Sequence, residues 1–519
     1  MQITQGLRRA VQINSDGIAT MFGARTHTWK QFSDRVQKMA GAIRRLGLED
    51  GDRVAILALN SDRYLEYYFF VPMAGGVVVP LNIRWAGPEN LFALNDSQTR
   101  ILFVDRAFAP VYDAIKDNID TVEHVVFIDD GEAPSGMLSF EKILDAAEPA
   151  KDADRKGDDL AGIYYTGGTT GRSKGVMLSH RNIYFNAVNA VQTFNFHIGT
   201  RWLHSAPMFH LADGSATVAI TMMGASHCFI PGFDAEGVLK AIEAYKPNHC
   251  LFLPTMLGML LKHPNFDNFD VSSVQEVLYG ASPMPEAILR EAMKRVKGWR
   301  FTHAYGMTEL SPVATALPWD EHILEGPGSE RLKSCGVATV GCEVLVVNEE
   351  GKEVPPNTVG EIIVRGDNVM LGYWKQPDVT AATLKDGWMW TGDAATMDEG
   401  GYFYIVDRVK DMIISGGENV YSAEVEQAVY EHPDVAECAV IGVPDDSWGE
   451  RVHAIIVPKP DTKPTEQEII DHCHTLIGGY KCPRSVSFRD ETLPLSGAGK
   501  ILKTELRKPY WEGRSKNVN

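Results

Sequence analysis

The 519-residue chain lacks several features that would each name a class of protein. Only seven cysteines occur, at 228, 250, 335, 342, 438, 473 and 482, and none forms a Cys-x-x-Cys pair. Neither a disulfide framework nor a zinc site is therefore suggested, which fits a reducing cytoplasm. Basic residues are not in excess. Fifty Lys and Arg against 68 Asp and Glu leave a net charge of −18, which argues against a nucleic-acid or anionic-membrane surface. No apolar run reaches the ~20 residues of a spanning helix; the most apolar, Tyr67 to Leu81, is broken by Pro72 and Pro80. Arg8 and Arg9 near the N-terminus precede no apolar segment, so no secretory signal is expected. Internal repeats and low-complexity stretches are missing too. What remains is an ordinary globular composition, 44% hydrophobic and 23% charged, in a chain too long for one compact core. Two or more domains are expected.

The stretch Tyr164–His180, YYTGGTTGRSKGVMLSH, stands out against that background. Four glycines, three threonines, Arg172, Ser173 and Lys174 crowd between Thr166 and Gly175, flanked by two strand-like runs. A Gly/Thr loop between strands can turn its backbone N–H groups around an anion, with hydroxyls and cations adding donors. It is not a Walker A loop, because that pattern needs Gly directly before Lys and Lys174 follows Ser173. Alone, the loop reads equally as a phosphate cradle or as a flexible surface hairpin.

Strand and helix signals alternate along the first half of the chain. Residues 26–46 have helical spacing, Gly51–Leu59 reads as a buried strand, Tyr64–Ala74 as a helix, and Val77–Leu81, Ile101–Val104 and Val125–Ile128 as further strands. Such alternation predicts crossover units and a mostly parallel sheet. Beyond the Gly/Thr loop come a helix at Asn182–Val191, an apolar helix ending at Met223, a helix at Asp234–Tyr245, a strand at Cys250–Leu253, a helix at Pro254–Lys262 and a strand at Val277–Ser282. From about 335 to 405, short alternating segments punctuated by Gly predict an antiparallel, barrel-like part. The last ~110 residues read as a small α+β domain. The fold class expected is therefore α/β, with a large N-terminal domain at 1–408 and a small C-terminal one at 409–519.

Six spaced stretches then converge on one family: Tyr164–Gly175, Pro207–His210, Tyr305-Gly-Met-Thr-Glu309, Gly360–Gly366, Trp390-Thr-Gly-Asp393 with Asp407-Arg408, and Leu493–Lys500. In this order they resemble the adenylate-forming enzymes, which include acyl-CoA synthetases, luciferases and peptide-synthetase adenylation domains. The chemistry of that family explains the residue types. A carboxylate is a poor electrophile until its oxygen is made a good leaving group as a mixed anhydride with AMP, and bringing two anions together needs cations and Mg²⁺.

The resemblance implies the following roles. Thr166, Gly167, Gly168, Thr169, Thr170, Gly171 and Lys174 would wrap the β- and γ-phosphates of ATP. Gly167 stands where Ser is frequent and Ser173 where Pro is frequent, which removes one hydroxyl and leaves the loop less stiff. Tyr305 would stack on adenine opposite Gly280, Ala281 and Ser282, with Gly306 and Met307 beside it. Thr308 would contact the α-phosphate, and Glu309 would hold Mg²⁺ through oxygen, as a hard cation prefers. Asp393 would accept both ribose hydroxyls and Arg408 would donate to the same sugar. Lys500 would stabilise charge as the adenylate forms. Lys410 occupies the hinge position about which the small domain rotates, bringing Gly416, Gly417 and Glu418 to line a tunnel for the CoA thiol. Lys481 and Arg484 could meet the CoA phosphates.

The acyl pocket is less legible. His210 matches a pocket-mouth position in acyl- and aryl-CoA synthetases, or is a satisfied core histidine. Leu211 stands where amino-acid-activating relatives carry Asp, which argues against an α-amino acid, and Asp213, two residues on, blurs that argument if it faces the pocket. The apolar character of Thr221–Ala225 favours a small-molecule carboxylic acid that is a medium- or long-chain fatty acid, with an aryl or arylalkanoic acid close behind. The reading is an ATP- and Mg²⁺-dependent acid–CoA ligase that is soluble and cytoplasmic, with no nucleic-acid partner and no stable membrane insertion; a homodimer is compatible with it. A stand-alone enzyme loading an acyl carrier protein and a non-catalytic nucleotide sensor are the alternatives, and the absence of a fused carrier domain favours the ligase.

Overall fold

The structure is a computed structural model. It describes residues 1–512 apart from 167–172, 283, 409–410, 416–417, 446–447 and 496–500. The chain divides into two compact units, Met1–Val344 with Val364–Met389, and Leu345–Ile363 with Trp390–Asn519.

Two sheets carry the first unit. In the eight-stranded one, Val77–Pro80, Arg53–Leu57, Thr99–Val104 and His124–Phe127 pair in parallel, as the alternation of strand and helix predicts. Leu160–Thr166 joins in parallel on Val77–Pro80 and turns back antiparallel as Lys174–Ser179, and Gly372–Tyr373 pairs on the outer edge of that hairpin. The nine-stranded sheet runs parallel from Arg300–Gly306 through Glu276–Gly280, His249–Leu251, Arg201–His204 and Ser226–Phe229 to Ile18–Phe22, with antiparallel edges. Val77–Pro80 and Glu276–Gly280 are buried at every residue, which is why a central strand such as Val77-Val-Val reads as a continuous apolar run and not as an alternation.

Local rules account for most helix ends. The helix expected over 26–46 is Trp29–Arg45, because Arg25–Thr28 first pairs back on Ile18–Phe22. Thr28 and Gln31 then form a reciprocal capping box. Trp29, Phe32, Val36, Met39 and Ile43 turn one stripe into the core, each contributing on the order of 1.5–3 kcal/mol by burial. The Tyr-rich helix Asp62–Met73 is buried along its whole length, and its carboxylates meet arginines, Asp62 with Arg25 at 2.8 Å and Glu66 with Arg35 at 2.5 Å. The helix Ile3–Asn14, which packs on Leu211–Met222, was not expected. Among the described residues no helix is long and apolar enough to cross a membrane.

An antiparallel sheet of five strands follows, in the order Glu343–Val347, Gly360–Arg365, Trp388–Met397, Leu384–Lys385, with Phe403–Arg408 also on Trp388–Met397. Its described pairings form an open path. In the second unit, Val435–Asp445 and Gly449–Pro458 form a long antiparallel pair extended by Ile413–Ser415 and Ser485–Phe488. Alternation sends Cys438 and Val440 to one face, under the helices Ser422–Tyr430 and Glu466–His474, and Ala439, Ile441 and Val443 to the other, under Leu506 of the last helix. All seven cysteines are free and buried.

Candidate functional site

Leu160–Thr166 and Lys174–Ser179 flank the Gly/Thr stretch as an antiparallel pair, with Thr166 paired across from Lys174. Gly167, Gly168, Thr169, Thr170 and Gly171 lie outside the described residues, as do Lys410, Gly416, Gly417 and Lys500. The root of the hairpin is well anchored. The Tyr165 hydroxyl donates to Asp96 at 2.6 Å, and the backbone carbonyl of Asp96 accepts from Trp374 Nε1 at 2.9 Å and Lys375 Nζ at 2.6 Å. Burial and the Asp96 carboxylate both hold the Tyr165 phenol above its ordinary range.

Lys174 leads directly to the next candidate. Its Nζ lies 5.0 Å from the centre of the Tyr373 ring, a cation–π distance, and the Tyr373 hydroxyl donates to Glu309 Oε1 at 2.8 Å. Thr308 and Glu309 are both buried, in a short turn Thr308–Leu310 directly after the strand Arg300–Gly306. Asparagines brace that turn from below. Asn368 Nδ2 donates to Leu310 O at 2.9 Å, Asn186 Nδ2 donates to Val313 O at 3.0 Å, and Ser311 Oγ donates to Asn368 O at 2.8 Å. Neither Tyr373 nor these asparagines were singled out from the sequence. A tyrosine in Gly-Tyr-Trp reads as core, and only strand pairing brings it beside Glu309.

Tyr305 sits on Arg300–Gly306, the parallel neighbour of Glu276–Gly280, with Gly280 registered against Ala304. The chain therefore delivers Gly280, Ala281 and Ser282 to the same strand end as Tyr305, Gly306 and Met307. Gly280 has φ +154° and Ala281 φ +63°, so the chain leaves the strand through the left-handed region. A Cβ at 280 would lie 2.1 Å from the carbonyl oxygen of Ala304, so glycine is required there for backbone packing as well as for any close ligand. Nearby, His303 stacks on Tyr279 at 4.6 Å and burial pushes its imidazole down to about 4.

His210 caps the helix Leu211–Met222, its Nδ1 accepting from Ala212 N at 3.1 Å, and it stays partly exposed. Leu211 is buried. Asp213 corrects the reading that it might face the pocket. It is fully buried, accepting from Trp202 Nε1 at 3.1 Å and from His204 Nδ1 at 2.6 Å, and His204 Nε2 continues to His227 Nδ1 at 2.9 Å. Its carboxylate is committed to that chain.

In the second unit, Asp393 and Arg408 are cross-strand partners, with Arg408 Nε 2.8 Å from Asp393 Oδ1. Asp393 is buried, while the Arg408 side chain is 42% exposed. Glu418 is exposed at the start of Glu418–Val420, opposite Ser415. Of the two cations proposed for CoA, Lys481 Nζ grips both oxygens of Glu424 at 2.7 and 2.8 Å, and Arg484 stacks 4.0 Å over the Trp448 ring.

Among the described residues no three His, Cys, Asp or Glu side chains converge as a metal cage. A single buried carboxylate at 309 fits a cation that takes most of its ligands from phosphate and water, which is the habit of Mg²⁺.

Comparison with known proteins bears on the whole chain. The AMP-binding enzyme family matches residues 7–374, and the AMP-binding enzyme C-terminal domain matches 424–500. A feruloyl-CoA synthase of Amycolatopsis sp is 38% identical over 504 residues, covering 97% of this chain and 98% of the relative. An indoleacetate–CoA ligase of Aromatoleum aromaticum is 34% identical over 510 residues, covering 98% of each. The crystal structure of the anthranilate CoA ligase AuaEII in complex with anthranoyl-AMP superposes with a TM-score of 0.90 at 28% identity, covering 98% of this chain and 97% of that one. The chain belongs to the AMP-binding, adenylate-forming enzyme family, in its acid–thiol ligase branch.

Proposed function

We propose that the protein is an ATP-dependent carboxylic acid–CoA ligase whose substrate is an aryl or arylalkanoic acid. A carboxylate oxygen attacks the α-phosphorus of ATP, the α–β anhydride bond breaks, and pyrophosphate leaves, giving acyl-AMP. The thiolate of CoA then adds to the acyl carbon, the carbon–oxygen bond to AMP breaks, and the thioester and AMP are released. The observation that carries the reading is the pairing of Lys174 and Glu309 about Tyr373, which sets a cation and a carboxylate at the root of the Gly/Thr hairpin. In this account Thr166 and Lys174 hold the outer phosphates, Thr308 the α-phosphate, Tyr305 the adenine and Asp393 with Arg408 the ribose. Glu309 holds Mg²⁺, which when bound neutralises phosphate charge. Lys500 on a mobile domain at 409–519, hinged at Lys410, serves the first step, and Gly416, Gly417 and Glu418 serve the second.

The substrate class is supported from two sides. An aromatic acid is supported by the feruloyl-CoA synthase at 38% identity, against 34% for the long-chain-fatty-acid–CoA ligase FadD13 of Mycobacterium tuberculosis. Leu211 is apolar, and the Asp213 charge is spent on Trp202 and His204, so neither residue offers an ammonium partner. The test is a panel of ferulate, indoleacetate, anthranilate, octanoate, palmitate and phenylalanine with ATP and Mg²⁺, offering CoA or a phosphopantetheinylated carrier protein. Thioester on CoA with an aromatic acid is the expected result. Loading of the carrier protein alone would replace the ligase reading with the carrier-protein one.

A further inference from the structure

We propose that Tyr373 is a positioning residue for Glu309, fixing one carboxylate oxygen so that the other addresses a divalent cation shared with the nucleotide phosphates. The inference rests on the reading of Glu309 as the Mg²⁺ ligand. A glutamate side chain can turn its carboxylate freely unless something holds it, and here the Tyr373 hydroxyl holds Oε1 at 2.8 Å in a buried setting. The same short segment also grips the backbone, Met370 N donating to Glu309 O at 2.9 Å. Tyr373 is itself fixed. It pairs with Val176 on the hairpin strand, its N–H donates to Thr380 Oγ1 at 2.8 Å, and the Gly372 before it has φ +139° with no room for a Cβ beside Thr380. On the ring face stands Lys174. One side chain thus touches both the cation proposed for phosphate and the carboxylate proposed for metal. Because no group of three His, Cys, Asp or Glu side chains converges there among the described residues, the aim of this one carboxylate matters more than in a multi-ligand cage.

The experiment uses the full-length protein, a non-hydrolysable ATP analogue and calorimetry, with and without saturating Mg²⁺. The quantity read is the factor by which Mg²⁺ tightens analogue binding. Tyr373→Phe keeps the ring and its contact with Lys174 but removes the donor to a buried carboxylate, so Tm should fall by a few degrees while cation-free affinity changes far less than the Mg²⁺ factor. The Mg²⁺ factor should fall about tenfold or more, the usual scale for losing a group that orients a metal ligand. Glu309→Gln should lose the factor as well, and the double variant should lose no more than Glu309→Gln alone. An unchanged factor in Tyr373→Phe with a lost one in Glu309→Gln overturns the inference and leaves the metal reading standing. An unchanged factor in Glu309→Gln overturns the metal reading itself. A cation-free affinity that falls by as much as the Mg²⁺ factor assigns Tyr373 to the general shape of the site and also overturns the inference.

Discussion

Gly306 lies inside Tyr305-Gly-Met-Thr-Glu309, and replacing it with alanine tests how tightly that motif is built. A Cβ at 306 would sit 1.8 Å from the carbonyl oxygen of Pro312 and 2.8 Å from its carbonyl carbon, with Val313 Cα at 3.0 Å. These are backbone atoms of the facing strand, so no side-chain rotation relieves the clash. The two segments must separate by roughly an ångström or more to restore ordinary contact. The first casualty is the bond from Met307 N to Pro312 O, 3.0 Å in the intact protein, and the next is the asparagine brace beneath Thr308–Leu310. Overpacking of about 1–3 kcal/mol plus about 1 kcal/mol for a lost hydrogen bond gives about 2–4 kcal/mol. The expected readout is a Tm lowered by several degrees, together with weakened ATP binding as Glu309 is displaced. Gly298→Ala is the control, since a Cβ there meets nothing within 4 Å. A Gly306→Ala protein with the Tm and ATP affinity of the Gly298→Ala control would refute the steric reasoning.

Three further outcomes follow from the same geometry. Asp213→Ala leaves Trp202 Nε1 and His204 without their buried acceptor and should cost about 3 kcal/mol or more, read as a lowered thermal midpoint; an unchanged midpoint would show that the chain is expendable. Arg408→Ala takes the cation away from the buried Asp393 carboxylate, so Tm should fall modestly while ATP binds about 10- to 100-fold more weakly, measured by calorimetry. Burial pushes His180, His249, His303 and His322 down to about 4, so they are neutral in the fold but protonate near 6.5 once unfolded. The unfolded state therefore binds more protons, and the stability present above pH 6.5 is lost as pH falls toward 4, by about 2 kcal/mol per histidine at pH 5. Tm should drop steadily between pH 7.5 and 5, and a flat profile would contradict the assignment.

How much of this was legible beforehand depended on the range of the interaction. The parallel sheets were readable because every crossover writes its own periodicity into contiguous residues, as in Gly51–Leu59 and Tyr64–Ala74. Capping moved boundaries by a few residues, as at Thr28. The strand Val313–Leu317 and the helix Ile3–Asn14 escaped because each takes its meaning from a partner far away in sequence. Site residues divided along the same line. Asp393 and Arg408 are expected at one ribose from the resemblance, and strand register makes them cross-strand partners and an ion pair. Tyr373 was passed over because an aromatic after glycine carries no signal of the carboxylate 64 residues before it. Asp213 misled because a carboxylate near a proposed pocket looks available until its two buried donors are seen.

The central claim is that this chain activates a carboxylic acid by adenylation, and isotope exchange between pyrophosphate and ATP tests it most directly. With an aromatic acid and Mg²⁺ but no CoA, labelled pyrophosphate should enter ATP, and omitting the acid or replacing Lys500 with alanine should abolish the exchange. Exchange that proceeds without acid, or ATP turnover to ADP and phosphate instead of AMP and pyrophosphate, would contradict the account.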